Sequence, residues 1–348
     1  MRIVQFQTPT TGRRVGIVED NDLRDLTAVR PDWQRVIDIF HSAEASAESL
    51  ATLIRSETGL SQAPCLDYQE LLHSDSTSGQ PFLHPPLDAK DPYHVLVSGT
   101  GLTHLGGMQA RNQMHSTADA PQQDTKTDSL KMFEMGLANG KPPLGTRGVA
   151  PEWFYKGNGL NIRGHRQALD IPAHARDGGE EAEIVGCYIV DRHGNPRRLG
   201  FALGNEWSDH ATEKQNYLYL APSKLMRCAV GPELILNSDF QAISLQCTVR
   251  RSGNVIYDSG ELWSGEQHMC HSLANCEDHH FKFPQHRHPG DIHLHFFGTS
   301  KLSYGLRDWT YADGDEVQVA APGFSATLVN SIRLADDPPT EPISVQTA

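Results

Sequence analysis

The sequence predicts an α+β fold, with a small α/β N-terminal region on a larger domain dominated by β-structure. Three observations predict it. Residues 1 to about 70 mix short alternating segments, RIVQFQT and RVGIVED, with stretches whose apolar residues recur at helical spacing, DWQRVIDIFHSAEASAESLATLIR and YQELLHS. A stretch rich in Pro, Ser, Gly and Asp follows, SDSTSGQPFLHPPLDAKDPYH (74–94), and reads as a linker. Beyond residue 150 the pattern is mostly short strands broken by Gly, Pro and Asn.

The expected organisation is therefore 1–94 as the N-terminal domain with its linker, 95–335 as the larger β-rich domain and 336–348 as a tail. HVLVSGTGLTHL (94–105) reads as a strand entering a Gly-rich loop. It lacks the full GxGxxG and GK[ST] phosphate-binding patterns, so a turn at the mouth of a site is the plainer expectation. NQMHSTADAPQQDTKTDSL (112–130) is polar with little periodicity and predicts a long surface loop of the kind that serves as a lid.

The formal charge of -13 argues against nucleic-acid and anionic-membrane partners, which favour Lys/Arg-rich surfaces. No run of apolar residues is long enough to span a bilayer. The six cysteines are scattered without a CxxC pair, as expected of reduced thiols in a cytoplasmic protein.

The most informative stretch is GEEAEIVGCYIVD (179–191), where a strand opens on Glu180, Glu181 and Glu183. It meets DRHGNPRR, in which Gly194-Asn195 suits a tight hairpin turn, and returns as LGFALGNEWSDH. With the turn centred there, Glu183 lies opposite Glu206, and Glu181 shares their face. Three convergent carboxylates repel one another unless protonated or bridged, and a hard cation such as Mg²⁺ or Mn²⁺ removes the conflict. A solvated acidic strand end fits the pattern equally well. A one-residue slip would turn Glu206 to the other face, in which case Asp209 is the spare carboxylate.

These segments resemble the fumarylacetoacetate hydrolase superfamily. EAEIVGCYIV and GFALGNEWSDH are similar to its ExE strand and later acidic strand, and PEWFYKGNG (151–159) to its Pro-Glu-x-Phe-Phe-Lys segment. QNYLYLAPSKLMRCAVGPELI (215–235) resembles a segment of the sugar-acid branch, the AraD1/GguC-like 2-keto-3-deoxy-pentonate dehydratases. HFFGTS (295–300) and YADGDEVQV (311–319) resemble the Gly-Thr loop and the closing strand. The resemblance implies a fumarylacetoacetase C-terminal-like mixed β-sandwich or roll as the catalytic domain. It implies that Glu181, Glu183 and Glu206 ligate one Mg²⁺ or Mn²⁺, and that Lys224, Lys156 and Thr299 serve catalysis. Arg111, Gly298, His104 and Asn205 are the candidate substrate contacts.

Two departures bear on the activity. Position 206 is usually Asp, so Glu206 reaches one methylene further. Gly107 stands where hydrolase members carry a water-activating His, which favours the dehydratase branch. The implied reaction is dehydration of a 2-keto-3-deoxy sugar acid, with the enolate formed on loss of the C3 proton stabilised by the metal, and Lys224 as base if burial lowers its pKa. A C–C bond hydrolase of a diketo acid and a non-catalytic sugar-acid binding protein are the competing readings. The resemblance also implies a homodimer or higher homo-oligomer. Finally, EQHMCHSLANCEDHHFKFPQHRHPGDIHLHFFGTS (266–300) concentrates histidines. Their spacing matches no zinc pattern, so donors buried in the core are the plainer expectation.

Overall fold

The structure is a computed structural model that describes residues 1–115, 126–335 and 342–348. Its centre is the strand Ala182–Val190, all nine residues of which are buried. Both faces of this strand carry apolar side chains because both are covered. Val185, Cys187 and Ile189 join a core with Val36, Ile39 and Ile54 from helices Val36–Ser46 and Leu50–Ser56. Ala182 and Ile184 join a second core with Leu245, Val249 and Val317 from a five-stranded sheet. Each fully buried Val, Leu or Ile contributes about 1.5–3 kcal/mol of transfer free energy, so these two cores fix the strand in place.

The larger sheet runs in the order Cys65–Asp67, Asp22–Asp25, Gly12–Glu19, Arg2–Thr8, Leu234–Leu236, Pro196–Asn205, Ala182–Val190, Ile292–Phe296, Val95–Gly101 and Glu152–Asn158. The N-terminal strands thus continue the sheet that holds the acidic hairpin, through Arg2 opposite Ile235 and Ile3 opposite Leu234. The expected linker contributes a short strand, Phe82–His84, that pairs with Arg2–Thr8. Ile292–Phe296 and Val95–Gly101 are parallel neighbours, so both run toward the same end of the sheet. The architecture is mixed α/β with mostly strand content in its sheets, as the α+β expectation requires.

The register of the acidic hairpin differs from the expected one. The turn spans Asp191–Asn195, with Gly194 at φ +80 and Asp191 Oδ1 accepting from the backbone N–H of His193 and Asn195. Next to the turn Tyr188 faces Arg198. Beyond a β-bulge, which leaves Leu199 without a cross-strand partner, Cys187 faces Gly200 and Glu183 faces Gly204. Glu206, whose N–H donates to Glu181 O at 2.9 Å, consequently lies across from Glu181 and not Glu183. The shift is even, so the three carboxylates keep one face. Without the bulge the shift would be odd and Glu206 would point away. Gly200 permits the bulge, since a Cβ there would meet Ile235 O at 1.9 Å.

The long loop expected over 112–130 is shorter at both ends. Helix Leu105–His115 takes its first residues, and helix Asp128–Asn139, capped by the Thr127 side chain accepting from Leu130 N, takes its last. Residues 116–125 lie outside the described residues. Of the expected tail, 342–348 are exposed and carry no regular structure.

Candidate active site

Glu181, Glu183 and Glu206 meet at the open end of the hairpin. Each offers an oxygen within 4.8 Å of the others, and all three are buried. Gly298, just past the end of the strand Ile292–Phe296, donates its N–H to Glu183 Oε2 at 2.7 Å. Lys224, closing the short helix Leu220–Lys224, places Nζ 2.5 Å from both Glu181 Oε1 and Glu206 Oε2, over the ring of Phe154. Lys156 reaches Glu206 Oε1 at 2.7 Å from the strand Glu152–Asn158 and donates to Trp207 O. A cavity of about 30 Å³ opens beside this cluster, lined by Glu181, Glu183, Glu206, Lys224, Arg111 and Thr299 among others.

The loops that close the cavity depend on close backbone approaches. A Cβ on Gly107 would lie 2.4 Å from Thr299 O, and one on Gly106 would lie 2.2 Å from Ser300 O. The Gly pair is therefore what lets the helix Leu105–His115 sit against the Gly-Thr loop. Thr299 donates its hydroxyl to Lys301 O at 2.9 Å. Gly101 and Leu102 also line the cavity, so the Gly-rich stretch is a turn at the mouth of the site.

Burial and like charge leave the cluster electrostatically unsettled. Burial, reinforced by Glu206 and Glu181, pushes the Glu183 carboxyl well above the usual range. Glu206 is also raised, by burial and then by Glu181. For Glu181, burial would act the same way, but Lys224 and His210 outweigh it and hold the group well below its ordinary value. Burial would lower Lys224, yet Glu181 and Glu206 outweigh it and keep its pKa above the ordinary value. The expectation of a base with a lowered pKa fails here: Lys224 is an ammonium clasped by two carboxylates.

Sequence reasoning missed several residues at this site. His210, in the first turn of helix His210–Gln215, lines the cavity with Nε2 3.1 Å from Glu181 Oε1. Arg111, an expected substrate contact, does line the cavity, but its partners were missed: Glu152 holds it at 2.7 and 2.9 Å and Glu213 at 2.8 Å. Glu152 stands in the quoted PEWFYK segment, but no pattern in the sequence pairs it with Arg111. Five carboxylates (Glu152, Glu181, Glu183, Glu206, Glu213) thus face three cations (Lys156, Lys224, Arg111), an excess of two negative charges when all are ionised. A divalent cation would balance them. Acceptor-only oxygens at this spacing suit a hard ion such as Mg²⁺ or Mn²⁺.

Other expected residues sit behind the cavity. Asn205 accepts from Glu181 N at 3.1 Å, leaving its Nδ2 buried without a partner. His104 is buried, Nδ1 2.8 Å from Thr103 Oγ1, with burial lowering its pKa to about 3. Asp209 is no spare ligand, because it caps helix His210–Gln215 and accepts from Arg176 N. Glu180 turns away to Ser303 and Tyr311. In the histidine-rich segment, His280, His286, His293 and His295 pack ring against ring inside the protein as hydrogen-bonding core residues.

No family model matches the chain. A protein of Haloferax volcanii described as a probable 2-keto-3-deoxyxylonate dehydratase is 23% identical over 328 residues, 92% of this chain and 95% of the relative. A hexagonal crystal form of 2-keto-3-deoxyarabinonate dehydratase superposes with a TM-score of 0.69 at 19% identity, covering 97% of this chain and all of that one. The resemblance therefore stands. The chain shares the fold of 2-keto-3-deoxyarabinonate dehydratase and is similar over nearly its whole length to a protein described as a dehydratase of the same class, as the resemblance to the sugar-acid branch of the fumarylacetoacetate hydrolase superfamily leads one to expect. A 2-keto-3-deoxy-D-arabinonate dehydratase complexed with magnesium and 2,5-dioxopentanoate shares the fold of this chain, with a TM-score of 0.66 at 18% identity over 96% of this chain and 99% of that one. Among the described residues no helix is long and apolar enough to cross a membrane.

Proposed function

We propose that this chain is a divalent-metal-dependent hydro-lyase that dehydrates a 2-keto-3-deoxy sugar acid, a 2-keto-3-deoxypentonate being the expected case. The observation that carries the reading is the buried Glu181–Glu183–Glu206 cluster beside Lys224, the five carboxylates and three cations of the site leaving two negative charges in excess when all are ionised. Its support is the similarity, over nearly the whole chain, to a protein described as a dehydratase of this substrate class.

In this reading Glu181, Glu183 and Glu206 hold Mg²⁺ or Mn²⁺. When bound, the cation supplies Lewis-acid polarisation of the substrate's 2-keto oxygen. Lys224 carries its proton at Nζ on the cavity wall, and we assign to it the proton that leaves with the C4 hydroxyl as water, while the C3 proton passes to solvent. The 5-hydroxy-3-ene so formed tautomerises to the 2,5-dioxo acid, losing one proton each from C5 and its hydroxyl and regaining one each at C3 and C4. Thr299 and Gly298 shape the carboxylate end of the cavity, Gly298 N–H also fixing Glu183. Arg111, fixed by Glu152 and Glu213, forms the wall facing the distal hydroxyls. Lys156, Asn205 and His104 are positioning residues behind the cavity, Lys156 orienting Glu206 and Asn205 the strand end at Glu181. We place the enzyme in the cytoplasm as a homo-oligomer, its six cysteines all unpaired and five of them buried.

The test is calorimetric binding of Mg²⁺ and Mn²⁺ to the wild type, Glu183→Gln and Glu206→Gln, followed by assay of 2-keto-3-deoxypentonates for 2,5-dioxopentanoate. Each variant is expected to bind the metal at least ten-fold more weakly and to lose activity by three orders of magnitude or more. Unchanged binding in both folded variants would overturn the metal site, and hydrolytic products in place of the dehydrated acid would overturn the reaction.

A further inference from the structure

A second cluster of metal-ligating side chains lies outside the active site. Val95–Gly101 and Ile292–Phe296 are parallel neighbours with Val95 opposite Ile292. The residues just before them, His94 and Asp291, therefore sit side by side where the two strands begin. His94 Nδ1 is 2.7 Å from Asp291 Oδ1, and His288 Nδ1 is 3.5 Å from the same oxygen. The two imidazoles lie nearly parallel, centroids 6.1 Å apart at 26°. All three ligand atoms fall within 4.8 Å of one another.

We propose that His94, His288 and Asp291 form a second divalent-metal site, selective for imidazole-preferring ions such as Zn²⁺, Co²⁺ or Ni²⁺, that clips the starts of these two strands together. Ligand bonds of about 2.0–2.1 Å in a tetrahedral site place neighbouring donor atoms about 3.3 Å apart. The distances of 2.7 and 3.5 Å to Asp291 Oδ1 bracket that value and the third pair lies within 4.8 Å, so small side-chain adjustments would complete three ligands, with water as the fourth. The donor types separate this site from the carboxylate cluster, since two imidazoles and one carboxylate suit borderline metals whereas Mg²⁺ requires oxygen.

Its backbone is already fixed. Val190 N donates to Asp291 O at 2.9 Å, Gly290 N to Val190 O at 2.9 Å, and Asp291 N to His288 O at 3.1 Å. Asp291 is thus held on the sheet with only its carboxylate free to turn. The plainer reading is a surface ion pair between His94 and Asp291 with His288 a bystander, and such pairs contribute little. Against it stands the convergence of two imidazole Nδ1 atoms on one oxygen, which two protonated rings would resist. The two strands end at Gly101 and, just beyond Phe296, at Gly298, both lining the active-site cavity. The second site therefore lies on the order of 20 Å from the first, at the opposite end of the same strands.

The test is calorimetric titration of Zn²⁺ into the Mg²⁺-saturated protein, comparing the wild type with His288→Ala, Asp291→Asn and Glu183→Gln. The expected result is one Zn²⁺ equivalent that binds ten-fold or more weakly in His288→Ala and Asp291→Asn and unchanged in Glu183→Gln. His288 is 65% exposed, so its variant should fold, and it should keep the Mg²⁺-dependent activity of the wild type. Zn²⁺ binding that survives both surface variants, or that disappears in Glu183→Gln, overturns the proposal.

Discussion

Among the described residues, two buried polar clusters solve burial in opposite ways. His280, His286, His293 and His295 bond mainly to one another and their neighbours, although His293 Nε2 is buried without a partner. His280 Nε2 meets His293 Nδ1 at 2.9 Å, Trp153 Nε1 donates to His280 Nδ1 at 3.1 Å, and His295 takes Ser98 and Thr100 hydroxyls at 2.9 and 2.6 Å. A neutral imidazole is both donor and acceptor and carries no charge, so a group of them needs no foreign ion. Glu181, Glu183 and Glu206 are acceptors only and share one charge sign, so they depend on Lys224 and Lys156 and still leave charge over. Both clusters are equally buried, but only the carboxylates require an ion from outside. Burial of polar groups marks an ion site only where the charge account fails to close.

The largest expected effect comes from opening the carboxylate account further. Lys224→Met leaves Glu181 and Glu206 buried without their shared ammonium. Breaking a buried pair in this way costs about 3–5 kcal/mol. Thermal unfolding of the metal-free variant should reveal that loss, saturating Mg²⁺ should restore most of it, and turnover should stay at least a hundred-fold down. A variant that is destabilised and gains nothing from Mg²⁺ would show that the lysine, not an ion, is the resident cation of this site.

The same contrast explains what could be read from the sequence. The ExE spacing and the returning Glu206 sit on strands, where period two decides faces, so their convergence was legible even though the register was misjudged by an even number of residues. The bulge at Leu199 was not legible, because a bulge is set by local backbone packing around Gly200 and carries no pattern of its own. His210 and Arg111 reach the cavity from helices, Arg111 with Glu152 and Glu213, residues 41 and 102 positions away in the chain, and only the fold brings these together. The helix before residue 116 was hidden by polar composition, since over residues 105–114 it buries only Met108 and Arg111. The lowered Lys224 pKa failed for a physical reason: burial was counted, but not the two carboxylates that came with it.

Titration sharpens the contrast next. Burial lowers His293 and His295 to about 3 and His280 well below its ordinary value. Between pH 6.5 and about 3 the unfolded chain therefore binds more protons, and this contribution to stability is complete above pH 6.5 and lost as the pH falls. Each histidine adds a slope of up to about 1.4 kcal/mol per pH unit, and His295→Gln should remove one such increment from urea-unfolding data. Glu183 and Glu206 are raised, so their contribution is present below the usual carboxylate range and is lost as the pH rises through their folded values. Mg²⁺ should accordingly stabilise the protein more at pH 8 than at pH 5. A metal increment independent of pH would show that the raised carboxylates are not the ones that bind it.

The smallest effect concerns the carboxylate that sits just outside both clusters. Asp209 follows Glu206 by three residues and looks, in sequence, like a fourth candidate for the cation. Its oxygens are already committed: Oδ1 accepts from Thr212 N at 3.0 Å, and Oδ2 from Arg176 N at 2.9 Å and Thr212 Oγ1 at 2.7 Å. That makes it the N-cap of the helix that carries His210 and Glu213, and loss of a cap costs about 1 kcal/mol. Asp209→Ala should therefore lower stability by about that amount while leaving Mg²⁺ affinity within about two-fold, because the helix is also anchored by buried His210 and Glu213. Asp209→Asn, which keeps one capping oxygen, should recover about half of the loss. A ten-fold fall in Mg²⁺ affinity in Asp209→Asn would place this carboxylate among the ligands. The even-register hairpin would then hold only part of the cation's shell, and the distinction between closed and open charge accounts would have to be redrawn to include it.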